Sequence, residues 1–278
     1  MRQESAVIDQ TPHAPSVHEA SPPVGFPDAP GVRSVGWSDI SGALRQGVGD
    51  FLAAPLFGLF FGGVFAVGGW ALLACVAVWD TPWAILPLAI AFPLLGPFAA
   101  VGLYEVSRRL TTGEPLNWSE VLTVVLRQKD RQLAWMGFVT LFIFWMWAYQ
   151  VRLLLALFLG FASFSSFDGF MTAVLTTENG LTFLAVGTVI GAMLSLGLFS
   201  VTVISMPLLV DRDYDIITAI VTSVTAVRRS PMVMLAWGAC VTLAMLAAMA
   251  PAFLGLFVVL PILGHATWRL YERAIVRV

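Results

Sequence analysis

The sequence predicts an all-α fold: a polytopic transmembrane helical bundle of about six spans. It reads as three repeats of an amphipathic helix followed by a transmembrane hairpin. Three observations predict this. The 278 residues are 58% hydrophobic and only 12% charged, with a mean hydropathy of +0.85, whereas soluble domains carry about 25% charged residues. Too little polar surface remains to cover a water-soluble core, so lipid is the expected solvent. Several apolar runs reach the roughly 20 residues that a spanning helix needs. Finally, of the 15 Lys and Arg residues, all but Arg152 fall into clusters between alternate runs.

Residues 1–34 form the first element and differ from the rest. They are rich in Pro and Ala, as in Thr11-Pro12-His13-Ala14-Pro15 and Ser21-Pro22-Pro23. They cannot bury enough apolar surface to fold, so a disordered tail is expected. The tail lacks the basic and apolar regions of a signal peptide. His13 and His18 lie here and are too isolated to suggest a metal site. Residues 35–278 form the membrane domain. Leu56–Trp79 and Trp83–Val106 make a hairpin about Asp80-Thr81-Pro82. Leu133–Phe158 and Phe183–Leu208 make a second, joined by a semi-polar stretch containing Asp168 and Glu178. Met232–Leu270 is too long for one span: a single helix of that length would measure about 58 Å against a core of about 30 Å. Two short spans with a turn at Met249–Pro251 are expected. Cys75 and Cys240 lie inside apolar runs, as free thiols.

Charge placement sets the orientation, because Lys and Arg favour the cytoplasmic side. Arg2, Arg33 and Arg45 precede the first run. Arg108, Arg109, Arg127, Lys129 and Arg131 lie between the second and third. Arg212, Arg228 and Arg229 follow the fourth, and Arg269, Arg273 and Arg277 end the chain. A six-span topology puts all of these on one side, with both termini cytoplasmic. The expected location is a bacterial inner membrane. A five-span topology would leave the last cluster outside.

The cytoplasmic stretches echo one another. Trp37-Ser38-Asp39-Ile40, Ala43 and Pro55 align with Asp213-Tyr214-Asp215-Ile216, Ala219 and Pro231. A weaker middle copy begins at Trp118-Ser119-Glu120-Val121. Ile40, Ala43, Leu44, Gly47 and Phe51 follow helical spacing, as do Ile217, Ile220, Val221 and Val224. Each copy therefore predicts a short amphipathic helix, lying on the membrane surface or packed as a connector against the bundle. Asn117 with Glu120 predicts a capping box. Pro93-Leu94-Leu95-Gly96, Pro207-Leu208-Leu209 and Pro261-Ile262-Leu263-Gly264 recur in the second, fourth and sixth runs. The prolines break helices whose freed carbonyls neighbours must satisfy, and Gly96 and Gly264 allow close helix approach.

Three segments carry a family resemblance. They are Pro93-Leu94-Leu95-Gly96-Pro97-Phe98 with Gly102–Arg109; Pro207-Leu208-Leu209-Val210-Asp211-Arg212; and Ala226-Val227-Arg228-Arg229-Ser230-Pro231 with Leu260–Tyr271. Together they resemble a bacterial family of predicted integral membrane proteins of unknown function, over about residues 36–275. The resemblance implies no activity. Some members are likened to the main subunit of cytochrome c oxidase. That chemistry needs a set of intramembrane histidines for haem and copper, and this chain offers only His265.

Four residues stand out as candidate functional polar groups: Arg152, His265, Gln150 and Glu105. Arg152, in Tyr149-Gln150-Val151-Arg152, is an intramembrane charge and so a functional candidate by default; it could instead snorkel, or pair with Asp80, Asp168 or Glu178. His265 precedes Arg269 by one helical turn and suits a hydrogen-bonded structural role. Glu105 is placed to pair with Arg108 and Arg109 along one helix face. No phosphate-binding loop, dinucleotide fingerprint, metalloprotease motif or nucleophile elbow occurs. No catalytic residue, metal or cofactor is expected. Membrane lipids are the expected partners, with membrane proteins or further copies of the chain beside them, and the net charge of −2 gives no basis for nucleic-acid binding. The leading reading is a non-enzymatic structural, accessory or lipid-interacting component. One alternative is a small-solute transporter or channel with Arg152, Gln150, Ser195, Ser200 and Thr202 along its pathway. The other is a lipid-acting enzyme at the cytoplasmic face, using His265 with Glu105 or Glu272.

Overall fold

A computed structural model of the chain describes residues 30–77, 85–127, 132–160 and 167–276. The tail with His13 and His18, the turn at Asp80, Lys129, Arg131, the Asp168 side chain and Arg277 lie outside the described residues. Within them the chain is helical, without strands apart from one isolated bridge. In chain order the helices are α1 (Trp37–Ala53), α2 (Pro55–Ala77), α3 (Ile85–Thr112), α4 (Trp118–Arg127), α5 (Gln132–Leu159), α6 (Phe167–Thr176), α7 (Glu178–Thr202), α8 (Ser205–Asp211), α9 (Ile216–Arg229), α10 (Pro231–Met249) and α11 (Leu256–Ala274).

Among the described residues, four stretches are long and apolar enough to cross a membrane: Pro55–Cys75, Ala134–Leu159, Glu178–Asp211 and Pro231–Met249. The long Met232–Leu270 run does break, into α10 and α11. Its turn contains Ala252 and Phe253 at φ of 49° and 66°. Trp70 of α2 donates from its indole to the Ala252 carbonyl at 2.7 Å.

The short helices start and stop for local reasons. The Asp39 carboxylate accepts from the Gly36 backbone at 2.9 Å, whereas its counterpart Asp215 caps forwards, accepting from Ile217 and Thr218, both at 2.9 Å. The two helices end alike. Ala54, between α1 and α2, sits at φ −137°, ψ 56°, and Ser230, between α9 and α10, at φ −138°, ψ 59°. In each case a proline then opens the next helix, where its missing N–H is no loss. The box expected at α4 forms only in half. Asn117 accepts from the Ser119 backbone at 3.2 Å, but the Glu120 carboxylate is drawn away to Arg109.

The break between α7 and α8 lies one turn before Pro207. There Ile204 donates its N–H to the Ser223 hydroxyl at 3.1 Å, and that hydroxyl donates to the Ser200 carbonyl at 2.7 Å. A side chain from α9 thus fills the gap in the ladder, as a broken helix in lipid requires.

α4 packs against α3, and α9 against α7 and α8. α1, the first described helix, packs along α11, the last. An antiparallel bridge between Val32 and Ile275 reinforces this closure. The stripe Ala43, Gly47 and Phe51 is what α1 buries, and it faces this packing rather than lipid. A Cβ on Gly47 would stand 2.7 Å from the Ala266 nitrogen and 2.8 Å from the Ile262 oxygen, so only glycine admits the crossing. Gly264 plays the expected close-approach role against Leu103, at 2.6 Å. Gly96 does not: nothing lies within 4 Å of its missing Cβ, because α3 borders open space there.

Candidate functional site

Polar side chains gather at one end of the bundle, where α1, α3 and α11 meet. α1 turns Asp50 inward on the same face as Gly47 and Phe51. Arg269 of α11 grips it with a two-pronged fork, Nη2 to Oδ1 at 2.6 Å and Nε to Oδ2 at 2.8 Å. The Ser107 hydroxyl donates to Asp50 Oδ2 at 2.9 Å and lies 2.8 Å from His265 Nδ1. A hydroxyl has one proton, so Nδ1 carries the hydrogen of the second bond. Arg269 also donates to the Thr111 hydroxyl at 2.5 Å and to Glu272 at 3.2 Å. His265 is fully buried. Its Nε2 and the neighbouring Trp268 indole nitrogen have no hydrogen-bond partner.

This connectivity is not that of a hydrolytic triad. In a hydrolytic triad the imidazole stands between carboxylate and hydroxyl and takes the hydroxyl's proton. Here the hydroxyl stands between imidazole and carboxylate, and the carboxylate is already held by a guanidinium. The network ties three helices together and satisfies every charge it buries.

A second cluster lies beside it. Glu105, buried at 2% exposure, accepts from Arg108 at 2.8 and 2.9 Å and from Arg109 at 2.7 Å. Arg108 continues to Glu114 at 2.8 and 2.9 Å, and Arg109 to the Pro115 carbonyl at 2.9 Å and to Glu120. The hydrogen bond from Arg108 holds the exposed Glu114 carboxyl below its ordinary range. Glu105 is thus spent on fixing the α3–α4 turn.

The structure does not bring the four candidate residues together. His265 meets Ser107, while Glu105 and Glu272 are engaged by arginines. Arg152 is exposed on α5 and has no ion pair among the described residues. Gln150 is half-buried and lines a separate cavity between α5 and α7. Ser195 and Thr202 line neighbouring cavities; Arg152 lines none of the three. Asp50 and Ser107 were not singled out by sequence reasoning. The available signal was Asp50's place on the same helical stripe as Ala43 and Gly47. Among the described residues no group of three or more His, Cys, Asp or Glu side chains is arranged to hold a metal.

Residues 85–211 match the model of a family described as "Predicted integral membrane protein (DUF2189)". The matched region begins with α3 and ends with α8. It therefore contains the Glu105 cluster, Ser107 and the α5–α7 pair, whereas Asp50, His265 and Arg269 lie outside it. Neither the curated proteins nor the solved structures contain a match to the chain. The protein is thus an integral membrane protein in a lipid environment, similar over residues 85–211 to a family of unknown function.

Proposed function

We propose that this protein is a non-enzymatic, six-span component of the inner membrane that engages lipid at its cytoplasmic face through α1, α4 and α9. Under this reading α3 and α11 complete the spans, both termini are cytoplasmic, and the three short helices mark three related units. The matching backbone at Ala54 and Ser230 supports the relation between the first and third.

One observation carries the lipid reading: each short helix exposes large apolar side chains. α1 exposes Trp37, Val48 and Leu52; α4 exposes Trp118 and Leu126; α9 exposes Ile217 and Val221. On a soluble surface such side chains would be a liability, whereas at a bilayer they lie among acyl chains. Arg45 and Arg228 lie exposed on the same helices, without an ion-pair partner among the described residues, where anionic headgroups can meet them.

Spin labels at residues 52, 126 and 221, in vesicles of phosphatidylethanolamine and phosphatidylglycerol, test this. We expect all three to be accessible to oxygen and shielded from a water-soluble nickel chelate, with labels at 46 and 119 showing the reverse. Full exposure of 52, 126 and 221 to the chelate contradicts the proposal.

A transporter would require a polar pathway past Arg152. The cavities between α5 and α7 instead have largely apolar walls, and Arg152 is not part of them.

A further inference from the structure

Three cavities, of about 310, 330 and 210 Å³, follow one another along α5 and α7. The first two share Thr140 and Leu198, and the second and third share Trp147. They form one groove. Between Thr140 and Leu154 it follows α5 for about 21 Å, longer than one leaflet of a hydrocarbon core about 30 Å thick. That shape suits an extended chain rather than a compact solute.

The walls are apolar in effect as well as composition. The hydroxyls of Thr140, Thr202 and Thr267 donate back to the carbonyls of Met136, Leu198 and Leu263, at 3.0, 2.8 and 2.7 Å. They therefore offer no free donor. Two side chains at the first cavity differ. Tyr104 is 6% exposed and Trp237 1%, yet neither the Tyr104 hydroxyl nor the Trp237 indole N–H has a hydrogen-bond acceptor among the described residues. Both line the cavity. Tyr104 also precedes Glu105, at the polar end of the bundle, near the depth where an acyl chain meets its headgroup. The groove thus has two waiting donors at its polar end and an apolar trough beyond.

We infer that this groove binds one acyl chain of a membrane glycerolipid, its ester carbonyl accepting from Tyr104 and its chain lying along α5 and α7 towards Gln150. The inference concerns an intramembrane site and stands apart from the surface-helix reading. Its test uses phosphatidylglycerol with a diazirine at the end of one acyl chain, in phosphatidylethanolamine vesicles containing the full-length protein. Cross-links mapped by mass spectrometry should favour the groove residues Ile143, Leu154 and Leu184 over the exposed Phe138, Val189 and Met193 by about tenfold, the ratio that 1.4 kcal/mol of preference gives. Ser195→Trp, which fills the trough, should abolish the preference. Tyr104→Phe removes only the hydroxyl. It should weaken competition by unlabelled ester-linked lipid and leave competition by the ether-linked analogue, which lacks the carbonyl, unchanged. Even labelling of the two residue sets overturns the groove. Equal effects of Tyr104→Phe on ester and ether lipids overturn the carbonyl contact. Should Ser195→Trp fail to fold, the ester-to-ether comparison on the intact trough still decides.

Discussion

Arg269 and Asp50 show how one pair can set the terms for a membrane-protein interior. Their side chains are 12% and 9% exposed, so removing either strands the other charge. Breaking such a pair costs about 3–5 kcal/mol, whereas replacing both with apolar groups is often near neutral. Asp50→Ala should therefore lower thermal stability in detergent sharply, and Asp50→Ala with Arg269→Met should recover most of the loss. A double variant as weak as the single one would contradict this account. Asp215 makes a complementary case in water. The Thr218 hydroxyl and backbone N–H, with help from Ile217, hold its carboxyl below the ordinary range. A depressed pKa stabilises the fold above the unfolded value, and the contribution is lost as pH falls through the folded one. Asp215→Ala should cost about 1 kcal/mol at neutral pH, the usual worth of an N-cap. The difference from wild type should vanish in strong acid; a cost that persists there would argue for a packing effect.

At the scale of elements, what the sequence reveals depends on how local the cause is. The long helices were legible because lipid demands uninterrupted apolar runs. A break near Met249–Pro251 was legible because one helix could not fit, and it falls over residues 250–255. Capping was harder to read. Asp39 and Asp215 occupy matching positions but cap in opposite directions, and Glu120 abandons its box because Arg109 offers a stronger partner. Glycines divide in the same way: Gly264 touches Leu103 while Gly96 touches nothing, since the sequence does not say which helix faces which. Gly47 lies where α1 crosses α11 at backbone distance. Gly47→Leu should separate these helices and lower the midpoint of thermal unfolding by more than the same change at Gly49, which has nothing within 4 Å. Equal shifts at the two sites would mean that the crossing contributes little to stability.

Over the whole molecule, the chain meets itself. Its N-terminal segment pairs with Ile275, α1 lies along α11, and Asp50 reaches across to Arg269. The three short helices and the charge clusters were legible in the sequence, but not this closure, which depends on contacts between residues more than two hundred positions apart. For the same reason Glu105 with its arginines, all close in sequence, was legible, and Asp50 and Ser107 beside His265 were not. The Tyr104 groove was also hidden, because Thr140, Leu198 and Trp237 carry no pattern until α5, α7 and α10 are assembled. The central claim is that this closed arrangement sits in the membrane with six spans and both ends on one side. Single cysteines at positions 45, 80 and 276, on a background with Cys75 and Cys240 replaced by alanine, test it in intact cells with a membrane-impermeant maleimide. The account predicts labelling at 80 alone, with 45 and 276 reacting only after the membrane is opened; labelling of 276 from outside would contradict it.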